Sequence, residues 1–326
     1  MKKVFAILLL AALCCFVPTL AGAEEPEIYT LLSPKGKVLT RYQGQCEKGD
    51  EYISGDNKHY RVTEVDESAH TARTELIGDA DMPDVGWLDQ VADATPVSAV
   101  ARKIALYCTH SDESYLEGDG TQSSEKRGGI YDVAEKFGAR LEELGATVER
   151  SEETHHPHDA GAYRRSRQTA VKLLKSQPNA IFDLHRDGIP DPEEYAVTIG
   201  GEKMSKVRLL VGKSNQNKEA NLSFAKQIKA VGDKLYPKLI KDIYMGKGTY
   251  NQDLAPRSVL LEFGTHTLSK ERVLRSTGPM AEVCYKALFG GVTGSAGASD
   301  VSGSKSAENV PADQSNKGSG AAVWII

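Results

Sequence analysis

The chain has 326 residues, 40% of them apolar and 26% charged, with a formal net charge of -5. Such a composition is ordinary for a globular protein with room for one medium catalytic domain and a smaller piece. The acidic balance excludes nucleic acid as the main partner, because phosphate binding needs a concentrated basic surface, and the cluster Arg164, Arg165, Arg167 is too small to supply one.

In chain order, residues 1–23 combine a basic start, Met1-Lys2-Lys3, with an apolar run from Val4 to Val17 too short to span a bilayer comfortably. The run closes on Pro18 and on Ala21-Gly22-Ala23, a small-x-small pattern that reads as a secretory signal cut after Ala23. The protein is therefore expected to be exported to the periplasm or cell envelope, membrane-anchored if the signal stays uncleaved. Leu13 precedes Cys14, which argues against a lipid-modified cysteine. Cys14 and Cys15 leave with the signal, and Cys46, Cys108 and Cys284 remain, an odd number without metal-type spacing.

Residues 24–98 read as a small β-rich domain and connector. Short β-prone runs at 29–32, 38–40, 51–53, 59–62 and 71–74 are separated by turn formers such as Pro34-Lys35-Gly36 and Gly55-Asp56-Asn57. His59 and His70 are lone histidines there, suited to surface or packing roles. Ile77 to Val100 reads as the connector. From Arg102 strands alternate with helices: apolar positions 130, 133, 134, 137, 141 and 144 have helical spacing, Gly145 ends that helix, and further helices are predicted over 163–175, 219–235 and 268–288. Between them lie strands at 103–108, 146–149, 180–184, 207–211, 243–245 and 258–264. This alternation predicts an α/β fold, a mostly parallel twisted sheet with helices on both faces, over residues 99–290. Residues 291–326 collapse to Gly, Ser, Ala, Asp and Lys and are expected to be a disordered tail.

The chemistry concentrates at strand ends. In α/β sheets the carboxyl ends of parallel strands converge on one crevice, and three predicted strands bring His110, His185 and Glu262 there. His110-x-x-Glu113 together with His185 offers two nitrogens and one oxygen, the donor set of hydrolytic zinc sites that keep a fourth position for water. Zinc lowers the pKa of that water to ~7, and Glu262 suits the general base. Cys108, on the strand, reads as core. His155-His156-Pro157-His158 reads as a solvated loop, with substrate contact as the second reading.

Thr109-His110-Ser111-Asp112-Glu113-Ser114-Tyr115, Ser166-Arg167, Asp183-Leu184-His185-Arg186-Asp187, Tyr250-Asn251-Gln252-Asp253-Leu254 and Leu261-Glu262-Phe263-Gly264 resemble, in order and over residues 102–290, the stage II sporulation protein P family. The resemblance implies a zinc amidase-like fold and a zinc-dependent N-acetylmuramoyl-L-alanine amidase. Such an enzyme cuts the amide between N-acetylmuramic acid and the L-alanine of the peptidoglycan stem peptide; an endopeptidase activity is also attributed to the family. It further implies Zn2+ as cofactor, His110 and His185 as its ligands and Glu262 as the catalytic carboxylate. Glu113 and Glu125 compete for the third ligand position, Glu113 by the short motif and Glu125 by the spacing of the broader zinc amidase group.

Arg186 and Asp187 are expected to steady a ligand ring or bind a stem-peptide carboxylate, and Asp183 shares that strand face. Asn251 and Gln252 are candidate binders of substrate amides, with turn formation as the other reading. The sequence departs from the family where Thr265-His266 replaces a second glycine after Glu-Phe-Gly; His266 could orient substrate, stabilise the oxyanion or be a plain surface histidine. The expected partners are peptidoglycan and a glycan-cleaving enzyme of the lytic transglycosylase type. The β-rich piece could bind wall, bind such a partner or cover the site. Two other readings stay open: a zinc carboxypeptidase or endopeptidase acting on wall peptides, and a non-catalytic wall-binding protein on an amidase scaffold.

Overall fold

Short β-prone runs separated by turn formers become strands β1 (Ile28–Leu32), β2 (Val38–Gln43), β3 (Glu51–Ile53), β4 (Lys58–Asp66) and β5 (Thr71–Asp79). The tight turns between them use Gly36 and Asn57 at positive φ, 75° and 62°. A computed structural model describes residues 27–93, 101–159 and 161–290. The leader pattern of 1–23 and the tail at 291–326 lie outside the described residues, as does part of the connector.

From Lys103 the periodic segments form β6 (Lys103–Tyr107), a short turn α1 (Leu116–Asp119), α2 (Ile130–Glu143), β7 (Thr147–Arg150), α3 (Ala162–Leu174) and β8 (Ala180–Asp187). They continue with β9 (Ala196–Ile199), β10 (Glu202–Ser205), β11 (Val207–Gly212), α4 (Lys218–Leu235), β12 (Ile240–Gly246), β13 (Ser258–Thr265) and α5 (Lys270–Phe289). The apolar stripe of α2 buries Ile130, Val133, Ala134, Phe137 and Leu141, and Gly145 follows at φ 96°, a conformation that suits glycine just past a helix. None of the described helices is long and apolar enough to cross a membrane.

One sheet of eleven strands runs in the order β2-β1-β5-β4-β3-β12-β11-β13-β8-β6-β7. β7, β6, β8 and β13 are parallel neighbours; β11 lies antiparallel to β13, and β12 parallel to β11. The expected parallel sheet therefore carries a reversed pair, joined by the crossover helix α4. A second departure is the β9-β10 hairpin, where no strand was predicted. Gly200 and Gly201 at φ 60° and 87° make its two-residue turn.

Strand alternation sends two different sets of side chains to the two faces. One face packs Ile104, Leu106, Phe182, Leu184, Val259, Leu261 and Phe263 against apolar residues of α2, α4 and α5. The other is covered in two parts: α3 lies over Ala105, Tyr107 and Ile181, while Tyr29, Leu31, Tyr42, Val62 and Ala72 cluster with Leu210, Tyr244, Tyr250 and Leu260. The first five strands are thus hydrogen-bonded into the same sheet through β3 and β12, and β2 lies against its face. Cys46, Cys108 and Cys284 are buried and free.

Candidate metal centre

β8 carries Asp183, His185 and Asp187 on one face, all buried. Its parallel neighbour β13 places Glu262 beside His185, and antiparallel β11 places Arg208 beside Glu262. Asp242 of β12 comes next to Arg208. Register alone therefore lays a row of charged side chains, Asp242, Arg208, Glu262 and His185, across four neighbouring strands.

β6 delivers the rest. Thr109, just beyond it, donates from its backbone nitrogen and hydroxyl to the Asp183 carboxylate at 2.8 and 2.6 Å, which fixes the start of the loop bearing His110. A turn closed by Glu113 N donating to His110 O, 3.2 Å, folds Glu113 back over the strand end. Its Oε1 lies 3.2 Å from His110 Nδ1 and 3.5 Å from His185 Nδ1, and its Oε2 accepts from Arg186 N at 2.9 Å. His110, Glu113 and His185 are all buried, and their candidate ligand atoms lie within 4.8 Å of one another, so the group can hold a metal ion. Asp183 Oδ1 stands 3.0 Å from the other nitrogen of His185, an ion-pair contact outside hydrogen-bond geometry that still sets a carboxylate behind the imidazole.

Burial works against every charge here, and the neighbours decide the outcome. Burial lowers the pKa of His110 to about 4, helped by His158 and His185. For His185, Asp183 and Glu113 overcome burial and hold the imidazole well above its ordinary range. Glu113 is held well below the usual carboxylate range, because His185 and His110 outweigh its burial. Glu262 goes the other way: burial, then Asp187, with Glu113 adding, push it up to about 8. Its Oε2 is buried without a hydrogen-bond partner among the described residues, in a cleft of about 350 Å³ that His110, Glu113, His185, Asp187 and His266 also line.

The other residues singled out from sequence separate clearly. Glu125 is exposed on the loop after α1 and is not one of the grouped residues. The Asn251 amide donates to Tyr163 O and to Ser166 Oγ, both at 3.0 Å, and Gln252 accepts from Gly212 N at 2.8 Å and donates to Leu210 O at 2.9 Å. Both amides are spent on the scaffold. Arg186 ties the 114–122 loop, donating to Ser114 O and Gln122 O at 3.3 and 2.9 Å. Asp187 accepts from Tyr195 OH at 2.6 Å and Arg208 Nη1 at 3.1 Å. His266 N donates to Asp187 O at 3.2 Å.

The solvated-loop reading is corrected for His155, while His158 is exposed and lines the cleft. His155 is buried, one ring nitrogen donating to Cys108 O and the other accepting from Thr169 Oγ1, both at 2.9 Å. His158 stacks on His110 with ring centroids 3.9 Å apart and binds Asp112 at 3.0 Å. Sequence reasoning also missed Arg208, Tyr163 and the β2 residues Tyr42 and Gln43, which line the cleft. The only signal for Arg208 was a charge inside Val207-Arg208-Leu209-Leu210-Val211.

What the fold and site define is an α/β protein with a buried group that can hold a metal ion, beside a carboxyl oxygen with no hydrogen-bond partner among the described residues. Residues 23–285 match the family Stage II sporulation protein P (SpoIIP), and the chain belongs to that family. Stage II sporulation protein P of Bacillus subtilis (strain 168) is 31% identical over 199 residues, 55% of this chain and 49% of that protein. The chain thus spans about half the length of the curated relative it matches. Among solved structures, N-acetylmuramoyl-L-alanine amidase AmiC2 of Nostoc punctiforme is similar at a TM-score of 0.38 and 12% identity, over 58% of this chain and 95% of that one. The CwlD amidase from Clostridioides difficile, in complex with the GerS lipoprotein, is similar at 0.37 and 18%, over 57% and 95%.

Proposed function

We propose that the protein is a zinc-dependent N-acetylmuramoyl-L-alanine amidase acting on peptidoglycan. The observation that carries this reading is the pairing, at one strand end, of the His110–Glu113–His185 group with a Glu262 carboxyl oxygen that has no hydrogen-bond partner among the described residues. Two imidazoles and a carboxylate, one imidazole backed by Asp183, fit zinc by donor chemistry. When bound, zinc supplies a Lewis acid and lowers the pKa of water to ~7.

The protein's own groups do the rest. His110, His185 and Glu113 would hold the ion, and the Arg186 backbone fixes Glu113 through its second oxygen. Glu262, beside His185 in the register, takes a proton from the attacking water. The water oxygen bonds to the amide carbon, the carbon–nitrogen bond breaks, and Glu262 returns the proton to the departing L-alanine amine. Without the ion, burial raises the Glu262 carboxyl to about 8, and a carboxyl raised from its ordinary value is the kind of group that can accept and then return a proton. Peptidoglycan lies outside the cytoplasmic membrane, so this reading requires export, in keeping with the leader pattern of 1–23.

The test is digestion of purified sacculi by the zinc-loaded chain from residue 24 onward, with products identified by mass spectrometry. Free stem peptides beginning with L-alanine, lost on chelation and restored by zinc, are expected. Cuts confined to bonds within the peptides would replace the amidase reading with an endopeptidase one, and no cleavage at all would overturn both.

A further inference from the structure

The polar side chains around the cleft are nearly all committed to the protein. Asp112 is bound by His158 and Ser123, and Arg208 by Asp242 and Asp187. Arg186 is held by two backbone carbonyls, and the hydroxyls of Tyr42 and Tyr250 lie 3.2 Å apart. Gln43 is different. It lines the cleft, is half-buried, and no hydrogen bond from a described residue reaches its carboxamide.

Its position is fixed by strand β2. Thr40 and Tyr42 face the sheet: Thr40 Oγ1 accepts from Arg208 Nη2 at 2.6 Å, and the Tyr42 ring stacks on Tyr244 at 3.9 Å between centroids. Arg41 and Gln43 alternate to the other side, where Arg41 bonds Glu194 at 2.7 Å and the Gln43 amide lies over Gly188, the residue after Asp187. The fit at that point depends on glycine, since a Cβ on residue 188 would fall 1.7 Å from Gln43 Oε1. A carboxamide that lines the same cleft as Glu262 and packs on Gly188 offers a coplanar donor and acceptor, which complement a secondary amide with its one N–H and one C=O.

We infer that Gln43 is a substrate-binding residue whose carboxamide pairs with an amide of the substrate, so that the N-terminal strands form one wall of the substrate cleft. The identity of that substrate rests on the amidase reading: a muropeptide carries an acetamido group, the scissile lactyl amide and peptide bonds. Gln43 takes no part in the bond change and acts by holding the amide in place. Because β2 is locked to the sheet through Thr40 and Tyr42, little ordering is left for the moment of binding.

The experiment uses the full mature chain with zinc, and a purified N-acetylmuramoyl pentapeptide as probe. Calorimetric binding in a Glu262→Gln background and steady-state cleavage in the parent are measured for Gln43→Ala, Gln43→Asn and Gly188→Ala. Gln43→Ala is expected to weaken Kd and raise KM by roughly five- to tenfold with kcat within about twofold, the loss of one or two hydrogen bonds. Zinc content and the thermal midpoint should stay at parent values. Gly188→Ala, which displaces the amide without removing it, should weaken binding in the same way, and Gln43→Asn should be intermediate. An unchanged Kd and KM in a zinc-loaded, folded Gln43→Ala protein would overturn the assignment while leaving the amidase reading intact. A parent that binds the probe through Gln43 without cutting it would overturn the amidase reading alone, and a parent that neither binds nor cuts would overturn both.

Discussion

Glu262 carries the sharpest prediction at the scale of the single residue. Replacing it with Gln keeps the shape and removes the proton carrier, so zinc content should be unchanged while kcat falls by ~10²–10⁴, the usual worth of a general base. A Glu262→Gln protein that loses its zinc would instead make that carboxyl a ligand. Asp183 predicts the converse pattern: Asp183→Asn weakens the support of His185 and should lower zinc affinity by ~10–100-fold, measured by competition with a chromogenic chelator. His110, His185 and Glu262 were legible in the sequence because each sits at the end of, or on, an apolar run whose strand character fixes where its side chain goes. Which of Glu113 and Glu125 lies beside the two histidines was not legible, because the path of a loop is set by its turns. The bond from Glu113 N to His110 O turns Glu113 inward, while Glu125 is left exposed. Arg208 was hidden for another reason: its meaning lies in the acids beside it on β8 and β12, and those neighbours are known only once strand order is.

Strand pairing makes those neighbours, and it is where sequence reading was weakest among elements. Apolar runs marked β11, β12 and β13 but did not say that β11 and β12 run against β13, since a strand buried on both faces looks the same in either direction. The consequence is the Asp242–Arg208–Asp187 chain, closed on its outer side by Thr40 of β2. Asp242 is fully buried, yet Arg208 and Lys241 overcome that burial and hold its carboxyl below the ordinary range. A carboxyl with a depressed folded pKa contributes stability that is present above its unfolded value and lost as pH falls through the folded one. The urea midpoint should therefore drop below about pH 4, and Asp242→Asn should flatten that acid limb while lowering the midpoint at neutral pH. Thr40 accepts from Arg208 and from Lys241, each at 2.6 Å. Thr40→Val, with the same shape and no hydroxyl, should cost about 1–3 kcal/mol, and Thr40→Ser should recover most of it. Equal urea midpoints for Thr40→Val and the parent would show that β2 is not held by this network.

At the scale of the whole molecule, the sequence divides at the connector, because composition changes there and the strand pattern changes from hairpins to alternation with helices. Composition cannot reveal that β3 pairs with β12, since edge pairing is made by backbone groups and any residue supplies them. The chain from residue 99 onward tests what that pairing is for. Without β1–β5 it would expose β12 as a bare edge, uncover Leu210, Tyr244 and Leu260, and take from Arg208 the Thr40 and Arg41 acceptors. Exposed apolar edges associate, and a buried guanidinium stripped of acceptors costs about 1–3 kcal/mol. The shortened chain should therefore melt at least ~5 °C lower, aggregate, and cleave muropeptides at least ~10-fold less efficiently than the full mature chain, with KM most affected because Gln43 is gone. If the N-terminal strands instead only cover the site, the same truncation would leave stability in place and raise activity. A soluble, zinc-loaded shortened chain at least as active as the full one would therefore assign β1–β5 to inhibition and remove them from the substrate cleft.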